Sequence, residues 1–190
     1  WCKEIKPSNI LEAAAVISLI PPGCLHYDVQ IMLSNNNSVS IEELFNNRDK
    51  YINTTILSID EKTHSVINNV IVDIMFSGMK NVYQLKGFNL VGTYDHPVLT
   101  QRGWVEIGKL EIGDIIYTYQ NSKMILHKFT GIKYITQVRT YDISVEGPNH
   151  NFIAGNVVVH NCTKAFMDDG KSMTKHYADR KNLKEEAIPI

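Results

Sequence analysis

Between Leu25 and Val159 the chain alternates short runs of β-forming residues with turns, and no long helical pattern of the kind that connects parallel strands stands between them. The runs lie at Val29 to Leu33, Tyr51 to Ile59, Ile67 to Phe76 (with a possible break at Asn68-Asn69), Val82 to Leu85 and Phe88 to Thr93. They resume at Ile115 to Tyr119, Met124 to Phe129, Thr140 to Val145, Phe152-Ile153 and Val157 to Val159. Lys86-Gly87 reads as a hairpin turn, and Ser40-Ile41-Glu42-Glu43 as a capping box that opens a short helix through Phe45. Short strands at this spacing predict an all-β, antiparallel domain with one or two short helices.

The flanks differ from this unit on both sides. Before it, Ile10, Ala13, Ala14, Ile17 and Ile20 recur at helical spacing behind a Ser8-Asn9 cap, and Pro21-Pro22-Gly23 stops the pattern. After Cys162 the chain is charged and poor in apolar residues, without a recognisable motif. The predicted organisation is therefore a flank 1–23, a β domain 24–161 and a flank 162–190.

An apolar fraction of 44% is ample for a core, and a net charge of −1 shows no basic excess for nucleic acid. Three distant cysteines, Cys2, Cys24 and Cys162, are too few for a disulfide framework and have no zinc-type spacing, which suits a reducing, cytoplasmic setting. The apolar run Ile10 to Ile20 is too short to cross a membrane. A lipoprotein signal ending at Cys24 fits poorly, because prolines stand where small residues are expected.

Chemistry concentrates at the domain's two ends. His160-Asn161-Cys162 puts a proton carrier, a side-chain amide able to cyclise on its own carbonyl, and a thiol in succession. Cys24 directly follows Gly23 at the other boundary. Taken singly these residues have plainer readings. Cys24 would be a small buried hydrophobe, His96 a turn residue before proline, His150 a core histidine, and Thr93 an ordinary strand residue. Asp142, within a strand pattern where aspartate is disfavoured, asks for a reason. Trp104, Phe88 and Phe152 read as core, and His26, His64, His127 and His176 as surface or structural residues.

Four motifs fall in order on the β unit. They are Cys24-Leu25 leading to Asp28 and Ile31; Gly92-Thr93-Tyr94-Asp95-His96-Pro97-Val98; Trp104-Val105-Glu106 through Gly113-Asp114; and Tyr141-Asp142-Ile143-Ser144-Val145, followed by His150-Asn151-Phe152 and His160-Asn161-Cys162. This succession, from Cys24 to Cys162, resembles the inteins, protein-splicing elements whose fold is shared with hedgehog autoprocessing domains. Val29 departs from the Thr often found after the Asp, and Pro148 lies inside the segment before His150. Larger members carry a homing endonuclease in mid-domain. Only the short stretch around Tyr119 to Phe129 occupies that place here, which implies a mini-intein that does not cut DNA.

The resemblance implies a single-turnover, self-processing reaction. Cys24 would attack the Gly23 carbonyl to form a thioester, with Thr93 on the backbone and His96 donating to the departing nitrogen; an unperturbed histidine titrates near the working pH. Cys162 would take over the acyl group, with Asp142 managing protons on the thiols. Asn161 would then cyclise, helped by His160 and His150, and an S-to-N shift would join Gly23 to Cys162. No ATP, metal, cofactor or partner is implied, and the chain is expected to act as a monomer. Two other outcomes remain: hedgehog-like self-cleavage without ligation, against which the downstream Cys162 argues, and a passive β-rich binding domain.

Overall fold

The computed structural model describes residues 23–161. The helical pattern before Pro21, the charged segment after Cys162, Cys162 itself and His176 lie outside these residues. The described chain is antiparallel β with two short helices, as the strand spacing predicts.

The first strands are short: β1 (Leu25–His26), β2 (Gln30–Met32) and β3 (Ser38–Ser40). Helix α1 (Ile41–Asn46) starts where the capping box predicts, with the Ser40 hydroxyl accepting from the Glu43 amide at 3.2 Å. Ile41 and Leu44, on one face, are fully buried. Tyr51 belongs not to a strand but to a second single-turn helix, α2 (Arg48–Tyr51). Its carbonyl accepts from both the amide and the hydroxyl of Thr54, and the chain turns at Asn53 (φ 65°) before β4 (Thr55–Ile59) begins.

The two runs expected at Ile67–Phe76 and Val82–Leu85 are one strand, β5 (Val66–Leu85). Asn68 and Asn69 do not break it. Asn68 pairs with Leu57 of β4, and the Asn69 amide donates to the Asn149 carbonyl at 2.7 Å. The hairpin at Lys86-Gly87 forms, but its second arm shrinks to β6 (Val91–Gly92). β7 (Pro97–Thr100), β8 (Gly103–Glu106), a 3₁₀ turn (Ile107–Lys109), β9 (Ile115–Gln120) and β10 (Lys123–Lys128) follow. β11 (Ile132–Val145) begins well before the predicted Thr140; β12 (Asn151–Ala154) and β13 (Val157–His160) complete the chain.

Two sheets result. One runs β11-β1-β6-β5-β4, with β11 also paired along β5; the other runs β10-β9-β7-β13-β12-β2-β3, with β8 on β7. In the β5–β11 ribbon, Thr140 faces Gly78 and Tyr141 faces Phe76, so Ser77 is the extra residue of a bulge. Gly78 takes φ 91° there, a conformation that costs glycine nothing.

β12 and β13 are buried on both faces. Phe152, Ala154, Val157 and Val159 enter the larger core, while Ile153 and Val158 enter a smaller one with Leu57, Ile59 and Leu99. Fully burying each such large apolar side chain is worth roughly 1.5–3 kcal/mol, so the strand leading to Asn161 is anchored from two sides. Phe152 is fully buried as predicted, whereas Trp104 and Phe88 only border the cores. Asn151 is fully buried, and its side chain ties β12 to β4. Its Oδ1 accepts from the Ser58 hydroxyl (2.8 Å) and the Ile59 amide (2.9 Å), and its Nδ2 donates to the Ile59 carbonyl (3.1 Å).

Candidate active site

β1 is only two residues long, but it lies between β6 and β11, with Leu25 opposite both Gly92 and Tyr141. That register carries Cys24 between the neighbours of those residues, Thr93 and Asp142. Cys24, Asp142 and His96 are all completely buried, and Thr93 nearly so.

The Gly23–Cys24 peptide bond is gripped through its backbone. The Cys24 amide donates to Thr93 Oγ1 at 2.8 Å, and the Thr93 amide donates to the Cys24 carbonyl at 2.8 Å. The Thr93 hydroxyl in turn donates to Asp95 Oδ1 at 2.6 Å, so its lone pairs are turned toward Cys24. The turn itself closes by the His96 amide donating to the Thr93 carbonyl at 3.1 Å. From outside, the 3₁₀ turn braces it: Ile107 donates to the His96 carbonyl (2.9 Å) and Gly108 to that of Tyr94 (2.8 Å). The Tyr94 ring lies over Gly108, where a Cβ would force it aside.

His96 stands against Gly23. A Cβ on Gly23, whose φ is 81°, would lie 2.6 Å from His96 Cα and 2.8 Å from Nδ1. Neither ring nitrogen of His96 has a side-chain partner. Burial lowers its pKa to about 4; Asp95 and a hydrogen bond to the Gly23 backbone pull the other way, and His160 adds slightly to the lowering. His96 is thus a neutral imidazole across the physiological range, a correction to the expectation of a histidine poised near neutrality.

The sulfur of Cys24 has its own surroundings. Lys80 Nζ on β5 donates to Sγ at 3.0 Å, and the hydroxyl of Ser77, the bulge residue, also hydrogen-bonds it. Burial raises the thiol pKa most, and the Asp142 carboxylate adds to the rise; Lys80 and Ser77 work against it. Sequence reading missed Lys80 and Asp95. A lysine in a strand reads as a solvated residue, and Asp95 lay inside a recognised motif without a role of its own.

At the downstream end Asn161 is buried, while His150 and His160 are half-buried. The Asn161 amide N–H donates to the His150 carbonyl at 2.9 Å. With its carboxamide assigned to satisfy both neighbours, Nδ2 donates to the same carbonyl at 2.7 Å and Oδ1 accepts from the Val145 amide at 3.2 Å. His160 Nδ1 lies 2.6 Å from the Asn161 carbonyl oxygen, and its ring packs edge-on against Trp104 with centroids 4.9 Å apart. His150 contributes its main-chain carbonyl, while its ring stands beside Gly147.

The sheet brings the two ends together. β7 pairs with β13 through Val98 and Val159, and extending that antiparallel register by two residues sets His96 level with Asn161. Residues 65 positions apart in sequence thereby belong to one centre. Cys162 lies beyond the described residues. Among those described, no group of three His, Cys, Asp or Glu could hold a metal ion, and no helix is long and apolar enough to cross a membrane.

No family model and no curated protein matches the sequence. Solved structures do match. A DnaB intein from Synechocystis sp. PCC 6803 is 27% identical, with a TM-score of 0.67, over 73% of this chain and 98% of that one. A DnaX mini intein from Spirulina platensis (22% identity, TM-score 0.61, 73% and 99% coverage) and the gp41-1 intein (23%, 0.57, 73% and 98%) share the fold. Each is covered almost from end to end. With its motifs in order, the chain has the fold of a whole intein and is similar to the mini-inteins, and its described residues contain no homing-endonuclease insertion.

Proposed function

We propose that residues 24–161 excise themselves and join Gly23 to Cys162. The observation that carries this reading is that groups suited to opening a peptide bond are seated at both ends of the domain, beside the paired strands β7 and β13. The Gly23–Cys24 bond has the Thr93 clamp and His96, while the Asn161 carbonyl has His160.

In the first step Cys24 Sγ bonds to the Gly23 carbonyl carbon, the bond to the Cys24 nitrogen breaks, and the thiol proton ends on that nitrogen. A neutral His96 beside Gly23 serves as relay, accepting a proton only transiently. Thr93 holds the amide in plane with the turn, and Gly23 leaves the carbonyl carbon open. Cys162 sulfur then displaces Cys24 sulfur from the acyl carbon.

Asn161 Nδ2 next bonds to its own carbonyl carbon and expels the Cys162 nitrogen as an amine, leaving a succinimide. His160 Nδ1, donating to the carbonyl oxygen, stabilises the charge that grows there. The His150 carbonyl, holding both nitrogens of Asn161, limits the side chain's freedom before attack. An S-to-N shift of the acyl group on Cys162 restores a peptide bond. The reaction needs no second chain.

Two substitutions test the order of events. Asn161→Ala is expected to stop downstream cleavage and leave a thioester, from which added thiol releases residues 1–23. Cys24→Ala is expected to abolish upstream scission while cleavage after Asn161 continues. If neither chain cleaves under reducing conditions while both are folded, the reading is wrong, and a passive domain is the alternative.

A further inference from the structure

The acidic and histidine groups of the site account for proton movements, but not for how a sulfur buried from water becomes an attacking thiolate. Cys24 is surrounded by three elements, of which β5 and β11 act on its sulfur and the 93–96 turn on its backbone. β5 presents Lys80 and Ser77, β11 presents Asp142, and the 93–96 turn presents Thr93, with Asp95 behind it and His96 against Gly23. Asp142 alone would disfavour a second negative charge. Lys80 is the cation in direct contact, its Nζ 3.0 Å from Sγ.

The contact is built into the fold. The bulge at Ser77, made possible by Gly78, sits on the segment of β5 that passes β1, and Lys80 follows it, paired with Val138. We infer that the Lys80 ammonium is a catalytic group of the first step, orienting Cys24 Sγ and stabilising the thiolate that attacks Gly23. The inference rests on the splicing reading. Lys80 keeps its three protons throughout: the thiol proton ends on the Cys24 nitrogen, the carbon–sulfur bond forms and the carbon–nitrogen bond breaks. A hydrogen bond from a cation to the developing anion is stronger than a neutral one, and a buried site magnifies the difference.

The test uses the full chain with Asn161→Ala, so that only the upstream reaction runs, and follows thiol-induced release of residues 1–23 between pH 6 and 9. Lys80→Met is expected to slow release about 10- to 100-fold, the worth of one hydrogen bond to a charged group, and to move the rate profile to higher pH. Lys80→Arg is expected to recover part of the rate.

Two controls separate this from a structural role. In a Cys24→Ala chain, Lys80→Met should leave cleavage after Asn161 at its parent rate. In a Cys2→Ser, Cys162→Ser, Asn161→Ala chain labelled with 13C at cysteine Cβ, NMR titration should show the remaining thiol ionising at higher pH when Lys80 is Met. An unchanged release rate and titration would overturn the inference, as would equal slowing of both cleavages. Should the parent chain release nothing with thiol, it is the splicing reading that fails; an unshifted titration would then still overturn the role of Lys80, and a shifted one would uphold its hold on the sulfur.

Discussion

Replacing Gly23 with alanine perturbs the upstream junction by the smallest possible addition. The residue sits at φ 81°, where a left-handed backbone costs an L-residue roughly 1–2 kcal/mol. The new methyl carbon would also fall 2.6 Å from His96 Cα, a backbone atom that no rotamer change can move. Overpacking of this kind costs about 1–3 kcal/mol. Together the two penalties, about 2–5 kcal/mol, push Gly23 out of its seat against His96. The fraction of molecules with the junction in place, and with it the rate of thioester formation, should fall about 30- to 5,000-fold. The assay is thiol-induced release of residues 1–23 from an Asn161→Ala chain, quantified by gel densitometry over time. Cleavage after Asn161, measured in a Cys24→Ala chain, should keep its rate, because the groups that hold Asn161 are His150, His160 and Val145. Release from Gly23→Ala at the parent rate would refute the assignment of the steric fit as a requirement of the reaction.

Two other outcomes follow from the same geometry. His160→Ala removes the donor on the Asn161 carbonyl and should slow downstream cleavage about 100-fold or more, with upstream thiol release retained; an unchanged downstream rate in a Cys24→Ala chain would count against oxyanion support by His160. His96 titrates at about 4 in the folded chain and near 6.5 when exposed, so the unfolded state takes up the proton first as pH falls. Its contribution to stability is full above pH 6.5 and is lost on the way down to about 4, some 3 kcal/mol in all. Urea unfolding of an Asn161→Ala chain should show about 2 kcal/mol of that loss between pH 7 and pH 5, and His96→Gln should reduce it.

The strand leading to the downstream junction was legible, as was the first helix. Val157-Val158-Val159 read as a strand, and the capping box at Ser40 placed α1. What escaped the sequence has specific causes. β5 looked like two strands because Asn68, Asn69, Asp73, Ser77 and Lys80 interrupt its apolar pattern, yet several of those polar residues are held by partners from other elements. The first part of β11 is largely exposed, so it shows no apolar alternation. β1 and β6 are two residues each, too short for any periodicity, although they set the position of Cys24. The site residues were legible as a linear order of motifs. Their meeting depends on the Val98–Val159 register and on β1 entering between β6 and β11, which are long-range facts.

Lys80 shows the same limit from the side of chemistry. A lysine's role depends on which atom lies 3 Å from its ammonium, and here that atom is a sulfur 56 residues away in sequence. By contrast, Asn161 and His160 act on each other's immediate neighbourhood, so their chemistry could be read directly from adjacency.

The central claim is ligation, and peptide sequencing by tandem mass spectrometry tests it most directly. After incubation of the full chain in reducing buffer, the products should be a fragment spanning 24–161 with a C-terminal succinimide or its hydrolysis product, and a second species in which Pro21-Pro22-Gly23 is followed directly by Cys162-Thr163. Fragments ending at Gly23 and beginning at Cys162 with no junction peptide would reduce the account to self-cleavage. An intact folded chain after long incubation would contradict it outright.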